Sequence, residues 1–148
     1  MNSIEEATEA LEYFNYFHDG FIKRLTITSH DEFDGDNAQV CTGLFDIEIE
    51  FAHYNYRQGE PPDNQIVHAH FCNVTDIMLD FHAVSFDWVI STFSIHATER
   101  QVHFMPPYPG PQPCFKVTLA RQLLDENRQW VRHEWPLFMF TDATFTEG

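Results

Sequence analysis

The sequence predicts an α+β domain: mainly an antiparallel β-sheet or sandwich of about eight strands, with one N-terminal amphipathic helix. Three observations carry this. Apolar residues recur at convincing helical spacing only near the N-terminus. From Phe21 onward the period falls to two, with links of hairpin length between the alternating runs. Aromatic residues make up 16% of the chain, Phe alone occurs 15 times, and large flat side chains suit a sheet interior.

The helix is expected over residues 4–18. Ser3 and Glu6 have the spacing of a capping box, in which serine caps the first amides and glutamate reaches back. Ile4, Ala7, Leu11, Phe14 and His18 then share one face, with Glu5, Glu6, Glu9 and Glu12 on the polar side. Gly20 is placed to end the helix in a left-handed conformation. Asp19 stands against local preference, because a carboxylate at a helix C-terminus meets the negative end of the macrodipole.

The first strand begins at Phe21 and alternates to Thr28, followed by a polar loop from His30 to Asn37. Asp31, Asp34 and Asp36 in that loop lack the regular spacing and closing glutamate of an EF-hand. Phe45–Phe51 is the cleanest strand, with Phe45, Ile47, Ile49 and Phe51 on one face and Asp46, Glu48 and Glu50 on the other. Tyr54–Asn64 contains Gly59, Pro61 and Pro62 and reads as a loop. Ile66–Cys72 and Val74–His82 are expected to form two strands joined tightly at Asn73. Phe86, Trp88 and Ile90 share a face, but Phe93 and Ile95 have the opposite phase, so a break is expected near Ser91-Thr92. Val102 and Phe104 indicate another strand before the proline-rich loop 106–113, since proline cannot donate to a ladder. Phe115, Val117 and Leu119 resume the alternation, 125–128 is a hairpin turn, and Trp130 and Val131 lie on the returning strand. Leu137–Phe140 is read as the last strand before a polar tail. There is no repeat and no internal boundary, so residues 1–148 are expected to form a single α+β domain.

Charge bounds the function. The chain has 23 acidic and 8 basic side chains, a formal net charge of −15. That disfavours binding to nucleic-acid phosphates and to anionic membranes, and it attracts basic proteins. Cys41, Cys72 and Cys114 are dispersed, odd in number and without a CxxC pair, which fits a reducing compartment rather than a disulfide framework. The polar, glutamate-rich start is unlike a secretory leader. No apolar run approaches the roughly 20 residues of a membrane span. A cytoplasmic location is therefore expected.

Several groups could carry chemistry. His68, His70 and Cys72 alternate along one strand, which puts them on one face at about 6.6–7 Å per step. Imidazole and thiolate are sound zinc ligands, and His82 on the next expected strand could add a fourth. Ordinary packing and hydrogen bonding of a half-buried sheet face is the simpler account. His18 and Asp19 could form an acid–base pair, but adjacent residues rarely orient one another. The motif His18-Asp19-Gly20 is better read as structural organisation. Asp46, Glu48 and Glu50 form an acidic stripe beside Tyr54 and Tyr56, a composition suited to holding a partner protein. No nucleophile elbow and no glycine-rich phosphate loop occurs, so no catalytic residue is assigned and no cofactor is expected.

Tyr16-Phe17-His18-Asp19-Gly20-Phe21-Ile22, an aromatic-His-Asp element ahead of an alternating strand, resembles the start of small bacterial immunity proteins of polymorphic toxin systems. His70-Phe71-Cys72-Asn73-Val74-Thr75-Asp76-Ile77 resembles that group's Phe-x-x-Val element. Together these stretches cover about a tenth of the chain. The resemblance implies a non-enzymatic inhibitor that binds a cognate toxin, and it transfers no binding residues.

The leading expectation is thus an acidic, non-catalytic protein-binding module, with Asp46, Glu48, Glu50, Tyr54 and Tyr56 facing a basic partner. One alternative is a small metal-binding protein or metallohydrolase using His68, His70 and Cys72, with His82. Another is a domain of a homodimer, joined through an exposed sheet edge or aromatic patch.

Overall fold

The structure, a computed structural model, describes residues 4–40, 42–54, 64–80, 89–98 and 114–147. The architecture is α+β. Among the described residues, helix α1 (Ile4–Tyr13) precedes nine strands: β1 (Phe21–Ser29), β2 (Glu32–Phe33), β3 (Gln39–Val40), β4 (Phe45–Tyr54), β5 (Asn64–Val74), β6 (Thr92–Ala97), β7 (Phe115–Leu124), β8 (Trp130–Phe140) and β9 (Asp142–Glu147). They form a four-stranded antiparallel sheet in the order β1-β4-β5-β9, a three-stranded antiparallel sheet β6-β7-β8, and a small β2-β3 ribbon.

The two larger sheets face each other across a phenylalanine-rich core. Ile47, Ile49 and Phe51 of β4 and Val67, Ala69 and Phe71 of β5 are buried, as are Phe93, Val117, Leu119, Phe138 and Phe140 of the second sheet. Phe93 sits edge-on to Phe51 at a centroid distance of 5.0 Å, and Phe138 and Phe140 each meet Phe71 at 5.0 Å. Edge-to-face contacts of this kind satisfy the ring quadrupoles better than direct stacking does.

α1 packs against β6, burying Ala7 and Leu11 on the predicted face. Ser3 lies outside the described residues. The helix ends at Tyr13, five residues earlier than its periodicity suggests. Asn15, Tyr16 and Phe17 take positive φ angles of 50°, 53° and 54°, a left-handed turn. Such angles cost about 1–2 kcal/mol per residue for side chains with a Cβ. The turn offsets this by burying Phe17 completely, its ring stacked on Phe51 at 3.9 Å. It also frees the next backbone groups for the second sheet. The Asp19 amide donates to the Ile90 carbonyl at 2.9 Å, and the Ile90 amide donates to the Gly20 carbonyl at 2.7 Å.

Gly20 differs from expectation in its reason. Among the described glycines the positive φ belongs to Gly43, while next to Gly20 it is Asp19 that is left-handed, at φ 63°. Gly20 is needed for space: a Cβ there would lie 2.5 Å from the Ala52 carbonyl oxygen.

Three further segments depart from the sequence reading. Asn73 does not turn the chain back into a hairpin. β5 continues to Val74, and Asn73 adopts φ 53° at a bulge where the β4–β5 register shifts. The chain then crosses to the second sheet, where Thr75 and Met139 exchange both backbone hydrogen bonds at 2.9 Å. The loop after β1 contains the β2-β3 ribbon, closed by the Asp34 carboxylate accepting the amides of Asp36 and Ala38. The polar tail is strand β9: Ala143 is buried, Phe145 packs on the core, and Asp142, Thr144 and Thr146 alternate with them. The phase change near Ser91 agrees with expectation, as Ile90 is buried and β6 starts at Thr92 with Phe93 inward. His82, Phe86, Trp88, Val102, Phe104 and the proline-rich loop lie outside the described residues. Among the described residues, no helix is long and apolar enough to cross a membrane.

Candidate functional site

Ile47, Ile49 and Phe51 of β4, with the buried His53, and Val67, Ala69 and Phe71 of β5 point inward, so strand alternation turns every second residue to the opposite face. On that outer face β4 presents Asp46, Glu48 and Glu50, and β5 presents His68, His70 and Cys72. The register aligns them in rows. Glu50 lies between Arg24 of β1 and His68, and His68 in turn pairs with Thr146 of β9. Glu48 lies between Thr26 and His70, and His70 pairs with Thr144. Asp46 pairs with Thr28, and Cys72 pairs with Asp142. A shallow cavity of about 220 Å³ opens between these rows, lined by Glu48, Glu50, His68 and His70 among others.

The three carboxylates of the stripe are in unlike environments. Glu48 is exposed. Glu50 lies 3.6 Å from Nδ1 of His68. Asp46 is the most engaged. His30, just past the end of β1, donates from Nε2 to Oδ1 at 2.7 Å, and His70 donates from Nε2 to Oδ2 at 3.0 Å. The Asn73 amide at the bulge approaches Oδ1 at 3.4 Å. Burial pushes the Asp46 carboxyl up, but the hydrogen bonds from His30 and His70, with the His30 charge, outweigh it and hold the group below its ordinary value.

Cys72 stands beside this cluster. Its thiol is pushed up, first by burial and then by the negative charges of Asp46 and Asp142. One donor atom each from Asp46, His70 and Cys72 lie within 4.8 Å of one another, a set of ligands that can hold a metal ion. Of the four metal-ligating residues expected from sequence, the structure thus brings together His70 and Cys72. His68 is turned to Glu50, and His82 lies outside the described residues.

Of the expected partner surface, Asp46, Glu48 and Glu50 share the outer face. Tyr54 ends β4, and Tyr56 lies outside the described residues. His18, Asp19 and Gly20 sit away from this face, at the junction with the second sheet. There His18 donates from Nδ1 to the Ser91 carbonyl at 2.8 Å, and its Nε2 is 3.6 Å from the Asp19 carboxylate. A groove of about 470 Å³ lies beside them, with Val89 and Trp130 on its apolar side.

Sequence reasoning missed His30, Asn73, Arg24 and Asp142 as members of the outer-face constellation. Each joins through strand register rather than through spacing along the chain. Alternation along β1 puts Arg24 and Thr28 on the face of the buried Ile22, and the register shift between Ile22 and Arg24 is what turns them to the outer face.

No known protein family, curated protein or solved structure matches the chain.

Proposed function

We propose that the chain is a non-catalytic, acidic protein-binding module of the immunity-protein type, whose outer sheet face receives a basic protein such as a toxin. The observation that carries this reading is the alignment of Asp46, Glu48 and Glu50 on one accessible face of a four-stranded sheet in a chain of net charge −15. Side chains on paired strands are held more firmly than side chains on loops, so these charges are in place before a partner arrives. A cationic protein is drawn to such a field, and complementary charge speeds encounter by about 10-fold or more at low salt. Glu48 is the best placed to receive a lysine or arginine, because it is exposed while Asp46 and Glu50 already face imidazoles. The resemblance of residues 16–22 to immunity proteins supports the same reading.

The test is a pull-down with the basic protein encoded beside this chain's gene, followed by association kinetics with Glu48→Gln and Glu50→Gln together. The expected result is stable capture, with an association rate several-fold lower in the double variant and unchanged melting temperature. Capture at an undiminished rate would move the interface off this face, and failure to capture would end the toxin reading.

A further inference from the structure

We propose that Asp46, His70 and Cys72 form a transition-metal site, of the kind that takes Zn²⁺, with His30 holding the carboxylate in place. This goes beyond the protein-binding reading and does not rest on it. The donor atoms come from two paired strands, and they converge at the Asn73 bulge, where the ladder locally departs from its regular spacing. Bulges commonly re-aim side chains in this way beside functional sites.

The dimensions fit. Tetrahedral zinc with metal–oxygen and metal–nitrogen bonds of about 2.0–2.1 Å places those donors roughly 3.3 Å from each other, and a sulfur about 0.3 Å farther. The Asp46–His70 separation is 3.0 Å, and the whole set lies within 4.8 Å, so closure on an ion needs side-chain adjustment only. The chemistry fits as well. One thiolate, one imidazole and one carboxylate suit zinc or cobalt and do not suit calcium or magnesium, which take oxygen ligands. Three protein ligands leave a fourth position for water.

His30 supplies the orienting contact such sites have. It hydrogen-bonds Oδ1 of Asp46 while Oδ2 faces His70, so one carboxylate oxygen is fixed and the other is directed at the ion. In the absence of metal, the proton on Nε2 of His70 bridges to that oxygen. When the ion binds it takes the proton's place. The imidazole, still neutral, then carries its proton on Nδ1, and the Cys72 thiol proton leaves to solvent, so affinity rises with pH. A divalent ion would also offset the burial and the Asp46 and Asp142 charges that disfavour the Cys72 thiolate.

The experiment is titration of the purified, untagged, reduced protein with Co²⁺ and with Zn²⁺. The account expects about one equivalent of Co²⁺ bound, with a thiolate-to-cobalt charge-transfer band that Zn²⁺ displaces. The band should vanish in Cys72→Ser and persist in Cys114→Ser, and His30→Ala should weaken binding by about 10–100-fold. In wild-type protein, Zn²⁺ should protect Cys72 from alkylation as read by peptide mass spectrometry, a readout that does not depend on the variants folding. Absence of stoichiometric binding, binding without the charge-transfer band, a band that survives Cys72→Ser, or unprotected Cys72 would each overturn the proposal.

Discussion

Asp46 on β4 and His70 on β5 meet carboxylate to imidazole at 3.0 Å, beside the bulge that shifts the register between their strands. One member of the acidic stripe is therefore committed inside the molecule, with His30 on its other oxygen at 2.7 Å. Neutralising the stripe is consequently not a pure surface change. Asp46→Asn is expected to cost about 1–2 kcal/mol at neutral pH, the low end for charge-assisted hydrogen bonds because the carboxylate is partly in water. The sign of its pH dependence follows from the lowered native value. A depressed carboxyl contributes stability that is present above the unfolded value of about 3.9 and lost as pH falls through the native one. Urea unfolding of both proteins from pH 7 down to pH 3 should show the difference between them shrinking below about pH 4.

Gly20→Ala is expected to destabilise the domain by about 1–3 kcal/mol, the range of overpacking. The added methyl would face the Ala52 carbonyl oxygen at 2.5 Å, a backbone atom that cannot rotate away. Thermal unfolding of the variant checks this, and an unchanged melting temperature would mean the two segments are less closely apposed.

Phe17→Ala should cost about 3–5 kcal/mol, as for other large core aromatics. Its ring is fully buried and stacks on Phe51 at 3.9 Å, so truncation leaves a cavity between the left-handed turn and β4. Phe17→Leu, which keeps most of the volume, should recover a large part of the loss in denaturant titrations.

Burial and neighbouring carboxylates push the Cys72 thiol up, so it should be a poor nucleophile near neutral pH. Iodoacetamide labelling of the metal-free protein, read on the Cys72 peptide, should be slower at pH 8 than labelling of a free thiol and should accelerate at higher pH. Asp46→Asn removes one of the charges and should raise the rate.

Local periodicity made much of this architecture legible. β4 was readable because Ile47, Ile49 and Phe51 alternate without interruption against Asp46, Glu48 and Glu50, and the first half of the helix because Ala7 and Leu11 recur above a glutamate-rich face. The helix end was not, since it is set by what Asp19 and Gly20 bond on Ile90, some 70 residues away. β9 was overlooked because an edge strand with threonines on its wet face looks like a polar tail, although Ala143 and Phe145 carry the alternation. At the site, the shared face of His68, His70 and Cys72 followed from period two alone. That Asp46 and His30 complete the cluster depends on the β4–β5 register and on the bulge at Asn73, which are tertiary choices that no short window of sequence records.

The most direct test of the central claim is the association rate between this chain and a captured basic partner, measured by stopped flow across ionic strength. With the outer face as the docking surface, the rate should fall steeply as salt rises. Glu48→Gln with Glu50→Gln should lower it several-fold at low salt and flatten its salt dependence. A rate that ignores both salt and these substitutions would contradict the assignment of this face to an electrostatically guided interface.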